Sequence, residues 1–179
     1  YLKNSKIKLY EFKRLGKSQA INKIIPKLNS EIVVFSDANI EYTNFTIANL
    51  IKPFINEKVG CTCGKLVFRN PGNIISGKGE SMYWKYENTL KKLESRIGYV
   101  SGATGAVYAI RRKLFKQLPN NCINDDFTIS MKIIEKGYKC IYTENAIVYE
   151  NVAPSVKSEF KRHIRDATGH YISIIHLYK

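Results

Sequence analysis

No segment of the sequence approaches the roughly eighteen consecutive apolar residues that crossing a bilayer takes, and the N-terminus lacks the charged-then-apolar order of a secretion signal. The chain itself is expected to be soluble. Cysteine is sparse. Cys61, Cys63, Cys122 and Cys140 show none of the paired CxxC spacing of a zinc site, and they are few for a disulfide scaffold. They are expected to be reduced, with Cys61 and Cys63 forming a buried structural pair on one side of a strand. His170 and His176 show no ligand spacing. Acidic side chains are outnumbered, 15 against 29 Lys and Arg, giving a net charge of +14. A partner met through long-range electrostatics is therefore anionic, be it a nucleotide diphosphate, a lipid head group or nucleic acid. Repeats, low-complexity tracts and linkers are missing too. What is present, 179 residues that are 44% hydrophobic and 12% aromatic, suffices to bury one core, which excludes disorder and indicates a single globular domain. The chain opens on Tyr1 rather than Met and closes in the amphipathic stretch Tyr171 to Tyr178, so both ends are expected to continue in a longer protein.

The periodicities alternate between strand and helix. Lys6 to Phe12 reads as a short strand and Gly16 to Leu28 as a helix with Pro26 near its end. Glu31 to Ser36 is a continuous β-branched apolar run of the kind found in a parallel strand covered on both faces, and it stops at Asp37-Ala38-Asn39. A helix over Thr46 to Phe54, a strand over Val59 to Phe68 and a turn at Asn70 to Asn73 follow. Ser81 to Arg96 carries Tyr83, Trp84, Tyr86, Leu90 and Leu93 among alternating charges, which predicts a helix lying across the domain and ended by Gly98. A small-residue loop, Tyr99 to Ala106, leads into a strand over Val107 to Ile110. Asn124 is placed to cap a helix running to Gly137, strands are expected over 139–142 and 146–149, and a basic segment spans Lys157 to Arg165. Strand, helix, strand is the α/β pattern.

Three clusters have the chemistry of a site. Asp37 stands at the carboxyl end of a central strand, where open α/β sheets bind ligands, and with Asn39 it can hold Mg²⁺ or Mn²⁺ against a diphosphate. Taken alone, the two are equally what a turn after a strand requires. Asp125 and Asp126 open a helix, where acids also stabilise the macrodipole by about 0.3–1 kcal/mol. Arg162 and Arg165, three apart, share a helical face that can grip a diphosphate, whereas His163 points elsewhere, and such a basic run is also an ordinary solvated face. Sugar transfer needs parts of this kind: a metal for the leaving diphosphate, a carboxylate for the acceptor's proton, and cations for the phosphates.

In order along the chain these motifs resemble the family 2 glycosyltransferases, in particular bacterial membrane synthases similar to those of cellulose, hyaluronan and poly-N-acetylglucosamine. Gly16-Lys17-Ser18-Gln19-Ala20-Ile21-Asn22 resembles the GK-x-x-A-[LI]-N segment, and Glu31 to Asn39 the strand ending in a DxD-type metal site. Ser101 to Ala106 resembles the small-residue loop near the acceptor, Asn124 to Phe127 the ED-type motif bearing the base, and Arg162-His163-Ile164-Arg165-Asp166 stands where processive members have QxxRW. Asn39 replaces the second acid of the metal site, and Arg162 and Asp166 replace the Gln and Trp of QxxRW. The family's first nucleotide-binding strands, upstream of the GK segment, are absent from the chain. The resemblance implies an α/β, GT-A (Rossmann-like) fold with a mixed, mainly parallel sheet flanked by helices. It makes residues 1–70 the remainder of the nucleotide-sugar-binding half and residues 71–179 the acceptor and base half. By position it makes Asp37, with Asn39, the metal site and Asp126 the general base. Lys17, Asn22, Arg162 and Arg165 become donor contacts alongside Asp37, and Gly102, Ala103, Thr104 and Asp125 the acceptor side. It further implies an inverting transfer from a nucleotide-sugar, UDP favoured over GDP, to a sugar or lipid-linked acceptor. Mg²⁺ or Mn²⁺ would assist, on the cytoplasmic side of a bacterial inner membrane reached through segments outside this chain. Two other readings fit the basic charge: a nucleic-acid-binding domain, although no nucleic-acid motif is present, and a non-catalytic module on anionic lipid.

Overall fold

A computed structural model describes residues 7–69, 75–151 and 156–177. Helix α1 (Lys17–Ile24) is followed by a 3₁₀ turn at Ile25–Lys27, because Pro26 cannot donate to the ladder and tightens the last turn. The strands are β1 (Ile32–Ser36), β2 (Glu41–Tyr42), β3 (Val59–Arg69), β4 (Val107–Arg111) and β5 (Lys139–Asn151). The helices α2 (Thr46–Ile51), α3 (Ile75–Ile97), α4 (Asp125–Glu135) and α5 (Val156–Leu177) lie between and after them. All five strands form one sheet in the order β1-β4-β3-β5-β2.

The sheet is mixed, as expected, but less parallel than the resemblance implied. Among the described residues only β3 and β5 run parallel, while β1–β4, β3–β4 and β2–β5 are antiparallel. β1 is an edge strand among the described residues rather than a central one, pairing with β4 from Ile32↔Arg111 to Ser36↔Val107. Its apolar run correctly reports that both faces are covered: Val33 and Phe35 join one core cluster, Ile32 and Val34 the other. Side-chain pattern says nothing of what lies alongside in the hydrogen-bonding direction. The two strands expected over 139–149 are one, β5, with a register shift where Gly64 faces Thr143 and Lys65 faces Ile147, a bulge that leaves both halves paired. The strand expected at the N-terminus is not formed. Ile7 to Phe12 have no regular structure, Ile7 and Leu9 are exposed, and Lys6 lies outside the described residues, as does the turn at 70–73.

The sheet's faces carry the two halves of the core. Cys61, Cys63, Tyr108, Ile110 and Ile133 are buried on one face, Leu50, Val107, Ala109 and Val148 on the other. Cys61 and Cys63 are free and buried, as read from their alternation. Helix α3 is longer than expected and ends at Gly98, whose φ of 88° suits glycine. Its apolar residues Tyr86, Leu90, Leu93 and Ile97 face outward.

Arg111, at the end of β4, is 5% exposed and fully engaged. Its Nε donates to the Val59 carbonyl at 2.9 Å, one terminal nitrogen to Phe54 O at 2.6 Å, and the other to Glu31 Oε1 at 2.6 Å. Removing it leaves buried carbonyls without donors. Arg111→Met is expected to cost about 3 kcal/mol in urea unfolding, whereas Glu31→Ala, at the exposed end of the same pair, costs under about 1 kcal/mol. Equal losses in the two variants would contradict this account of the node.

Candidate active site

Where β1 ends, a cavity of about 630 Å³ opens, bounded by α1, the 101–106 loop, the first turn of α4, one side of α3 and the first half of α5. Asp37 follows β1 directly, its backbone nitrogen donating to the Ala106 carbonyl at 3.4 Å, so strand and loop are fixed to each other.

The ammonium of Lys17 stands between two carboxylates, 3.3 Å from Asp37 Oδ1 and 3.1 Å from Asp125 Oδ1. Burial opposes the charge on Lys17, but Asp125 and then Asp37 outweigh it, and its pKa lies above the ordinary lysine value. Asp125 is 3% exposed. A buried carboxylate needs partners, and its second oxygen accepts from the Tyr108 hydroxyl at 3.0 Å. Tyr108 in turn stacks on Phe35 of β1, ring centroids 4.4 Å apart. Burial first, and then Asp125, raise the Tyr108 pKa well above its usual value, so the phenol stays a neutral donor.

Asp126, the next residue, borders the cavity. Its Oδ1 accepts the Phe127 backbone N–H at 2.8 Å. Burial, and then the charge of Asp125, push its pKa up to about 6, with Lys17 and Lys91 opposing. The small-residue loop owes its composition to this contact. A Cβ on Gly105 would stand 2.7 Å from Asp126 Oδ2, and Gly102, at φ 147°, presses against the Phe127 ring. The small residues expected to let a ligand approach line the cavity and also admit the head of α4. Ala103 is pinned by its N–H to Ser130 Oγ at 3.2 Å, and Thr104 Oγ1 lies 3.4 Å from Lys91 Nζ.

Helix α5 is held against α4 by side chains that sequence reasoning passed over. Asn124 Nδ2 lies 3.0 Å from the Asp166 carbonyl and 3.0 Å from His170 Nδ1, and Thr128 and Ser173 share a hydrogen bond at 3.0 Å. The His170 ring meets Phe127 edge-on at 4.9 Å. Asn124 therefore starts α4 without capping it through its side chain, contrary to expectation, because its amide is committed to α5. Gly169 makes this approach possible, since a Cβ there would collide with the Asn124 amide. The docking brings Arg162 and Arg165 to the cavity, and His163, expected to point elsewhere, borders it too.

Of the residues singled out from sequence, Lys17, Asp37, Gly102, Ala103, Thr104, Asp125, Asp126, Arg162 and Arg165 line this one cavity. Asn22 does not. Both ends of its amide are spent on Leu118, donating to the carbonyl at 2.9 Å and accepting from the N–H at 2.8 Å, which makes it a staple between α1 and the chain before α4. Asn39 is not among the lining residues either, and its amide nitrogen donates to Glu150 Oε1 at 2.8 Å. Among the described residues no group of three or more His, Cys, Asp or Glu is arranged to hold a metal. The chemistry fits a lighter hold. Mg²⁺ and Mn²⁺ in phosphate sites commonly rest on one or two carboxylates plus phosphate and water oxygens, and Asp37, 45% exposed at the cavity edge and already drawing a cation, is such a carboxylate. Sequence reasoning missed Trp84, Glu87, Lys91 and Glu150 in the lining, although the i, i+3, i+7 spacing of the first three places them on one side of α3. No helix among the described residues is long and apolar enough to cross a membrane.

The model of a family described as Glycosyltransferase like family 2 matches residues 4–169. Among solved structures, the mannosyltransferase PcManGT from Pyrobaculum calidifontis, in complex with GDP-Man and Mn²⁺, is similar at 25% identity and a TM-score of 0.74, over 94% of this chain and 45% of that one. GalNAc-T7 with UDP, GalNAc and Mn²⁺ aligns at 18% identity and a TM-score of 0.57, over 79% of this chain and 31% of that one, a likeness of fold. A comparison with curated proteins found no match. The chain thus spans less than half the length of either structure. A family match running from before α1 into α5 takes in every element that builds the cavity, and on it the chain belongs to the family 2 glycosyltransferases, with their α/β GT-A fold.

Proposed function

We propose that the protein is an inverting glycosyltransferase that moves a sugar from a nucleoside diphosphate sugar to an acceptor hydroxyl, in polysaccharide or glycoconjugate synthesis on the cytoplasmic side of a bacterial inner membrane. One observation carries this reading: a single cavity gathers a partly exposed carboxylate at a strand end, the cations Lys17, Lys91, Arg162 and Arg165, and a carboxylate whose pKa is raised toward neutrality. In PcManGT the same fold holds GDP-Man and Mn²⁺, which supports a nucleotide donor here.

Asp126 is the general base. Its raised pKa makes it a stronger proton acceptor than an ordinary carboxylate, yet it is ionised at neutral pH. It takes the proton of the acceptor hydroxyl as that oxygen attacks the anomeric carbon; the bond from that carbon to the diphosphate oxygen breaks, and its electron pair leaves with the nucleoside diphosphate. Lys17, Arg162 and Arg165 hold the departing charge. Asp37 would hold a divalent ion, which when bound supplies charge neutralisation at the diphosphate. Asp125 fixes the head of α4, and with it the base.

The direct test is sugar transfer by the full-length protein from a panel of UDP- and GDP-sugars with Mn²⁺ or Mg²⁺. Asp126→Asn is expected to lower turnover at least about a thousandfold with the donor still bound, and Asp37→Ala to abolish metal dependence and donor binding. Wild-type turnover in Asp126→Asn would remove the base assignment. The pH profile gives a second check. The acid limb should turn near pH 6, not near 4, because the base must lose its proton. In stability the sign is opposite. The folded protein holds the Asp126 proton more tightly than the unfolded chain, so stability falls as pH rises from about 4 to 6. Asp126→Asn, measured without divalent ion, should be more stable than wild type by about 3 kcal/mol at pH 7 and equal to it near pH 3. Gly105→Ala forces the Asp126 carboxylate aside, so turnover is expected to fall about a hundredfold with donor affinity retained; a variant with full turnover would mean that the loop does not set the base.

A further inference from the structure

Helix α3, whose Lys91 acts on Asp126 through its charge, also supplies a wall of the same cavity. Trp84, Glu87 and Lys91 line it, while Tyr86, Leu90 and Leu93 lie exposed on the other side of the helix. Lys91 is 7% exposed, an unusual position for an ammonium, and it is balanced by Glu87 at 3.2 Å and Thr104 Oγ1 at 3.4 Å. Thr104 precedes Gly105, the residue that abuts the Asp126 carboxylate. A chain of contacts thus runs from Glu87 through Lys91 to the loop beside the base. One turn before Glu87, the Trp84 ring packs against Phe68 at 5.8 Å and borders the cavity next to Leu66.

The charge on this wall differs from that on the rest of the cavity. Lys17, Arg162 and Arg165 come from α1 and α5 and suit a diphosphate. The α3 side offers an indole, an aliphatic side chain and an ion pair that cancels itself, and Glu150 of β5 adds a negative charge to the lining. Such a wall gives an anion little. An uncharged sugar ring, with apolar C–H faces and hydroxyls at its rim, finds an aromatic surface and carboxylate acceptors about one helical turn apart.

We propose that the Trp84–Glu87–Lys91 side of α3 is the acceptor subsite and that it takes an uncharged pyranoside, its ring against Trp84 and its hydroxyls on Glu87. Lys91 is the positioning residue that ties this wall to the Thr104–Gly105 loop. The proposal rests on the glycosyl-transfer reading and specifies its acceptor.

The test uses the full-length protein with saturating donor, a panel of unphosphorylated nitrophenyl pyranosides and the matching sugar phosphates as acceptors, and donor Kd from calorimetry. Wild type is expected to glycosylate at least one neutral pyranoside and to prefer it to its phosphate. Trp84→Ala should raise the acceptor KM roughly tenfold with donor Kd unchanged. Trp84→Phe should recover most of that loss and Trp84→Leu little of it, which separates a ring surface from apolar bulk. Glu87→Gln should raise the acceptor KM several-fold, and Lys91→Met should lower kcat more than it raises KM. Tyr86→Ala, on the outer side of α3, should change neither. Should Trp84→Ala fail to fold, the Phe and Leu variants decide the matter. An unchanged acceptor KM in the Trp84 variants, a donor Kd that worsens with it, preference for phosphorylated acceptors, or donor hydrolysis with no neutral acceptor used would each overturn the subsite. Absence of both donor binding and transfer in wild type would instead overturn the glycosyl-transfer reading itself.

Discussion

The ammonium of Lys17, held between Asp37 and Asp125, fixes the relation of three elements that share no strand pairing or helix of their own. Lys17 opens α1, Asp37 ends β1, and Asp125 begins α4. Without that cation two carboxylates would face each other across the cavity mouth, one of them buried. The Tyr108 hydroxyl satisfies the other oxygen of Asp125, so the head of α4 is fixed to β4 as well as to α1. Other α1 contacts reinforce the joint at the far side: Ser18 Oγ donates to the Cys122 carbonyl at 3.0 Å, and Asn22 grips Leu118. Everything the site requires of Asp126 follows from where this joint puts the first turn of α4.

Two adjacent aspartates consequently do different work. Asp125 has a lysine and a phenol within 3.1 Å and serves as an anchor. Asp126 accepts a backbone N–H at 2.8 Å, and burial and the like charge of Asp125 raise its pKa toward neutrality against Lys17 and Lys91. Neighbouring carboxylates are often given different roles in this way, by the different surroundings of each. The glycines at 102 and 105 complete the arrangement by allowing the loop to lie against Phe127 and Asp126, and Gly169 does the same for α5 against Asn124.

Much of this could be read from the residues. The apolar alternations located β1, β3 and β4, the Pro26 and Gly98 boundaries bounded α1 and α3, and the order of motifs gathered nine of the expected residues into one cavity. The misreadings have physical causes. β1 looked central because an apolar run records covered faces and not lateral neighbours. The amides of Asn22 and Asn39 suit a ligand as well as a staple within the fold, and only the fold shows that their nitrogens donate to the Leu118 carbonyl and to Glu150. Asn124 looked like a cap because its position is right, and only the docking of α5 shows its amide engaged elsewhere. The α3 wall was hidden by its own helix: of the apolar residues read together, Tyr86, Leu90 and Leu93 face out, while Trp84 reaches the cavity with two charges, Glu87 and Lys91, that read as ordinary surface.

The exposures along the Lys17 bridge also divide the cavity into fixed and exchangeable parts. The Asp125 side chain is 5% accessible, whereas Lys17 and Asp37 are 54% and 45% accessible. At the buried end, losing the partner would strand a carboxylate away from water, which costs several kcal/mol, so that contact persists. At the outer end, water screens the Lys17–Asp37 contact, and such pairs are typically worth about 0–1 kcal/mol. In the proposed reaction a diphosphate with its counterion would therefore meet little resistance in taking over that contact, with Lys17 contributing to the diphosphate and Asp37 to the ion. The anchor beneath the proposed base would stay in place through such an exchange, because its stability comes from Asp125 and Tyr108 and not from the outer half of the bridge.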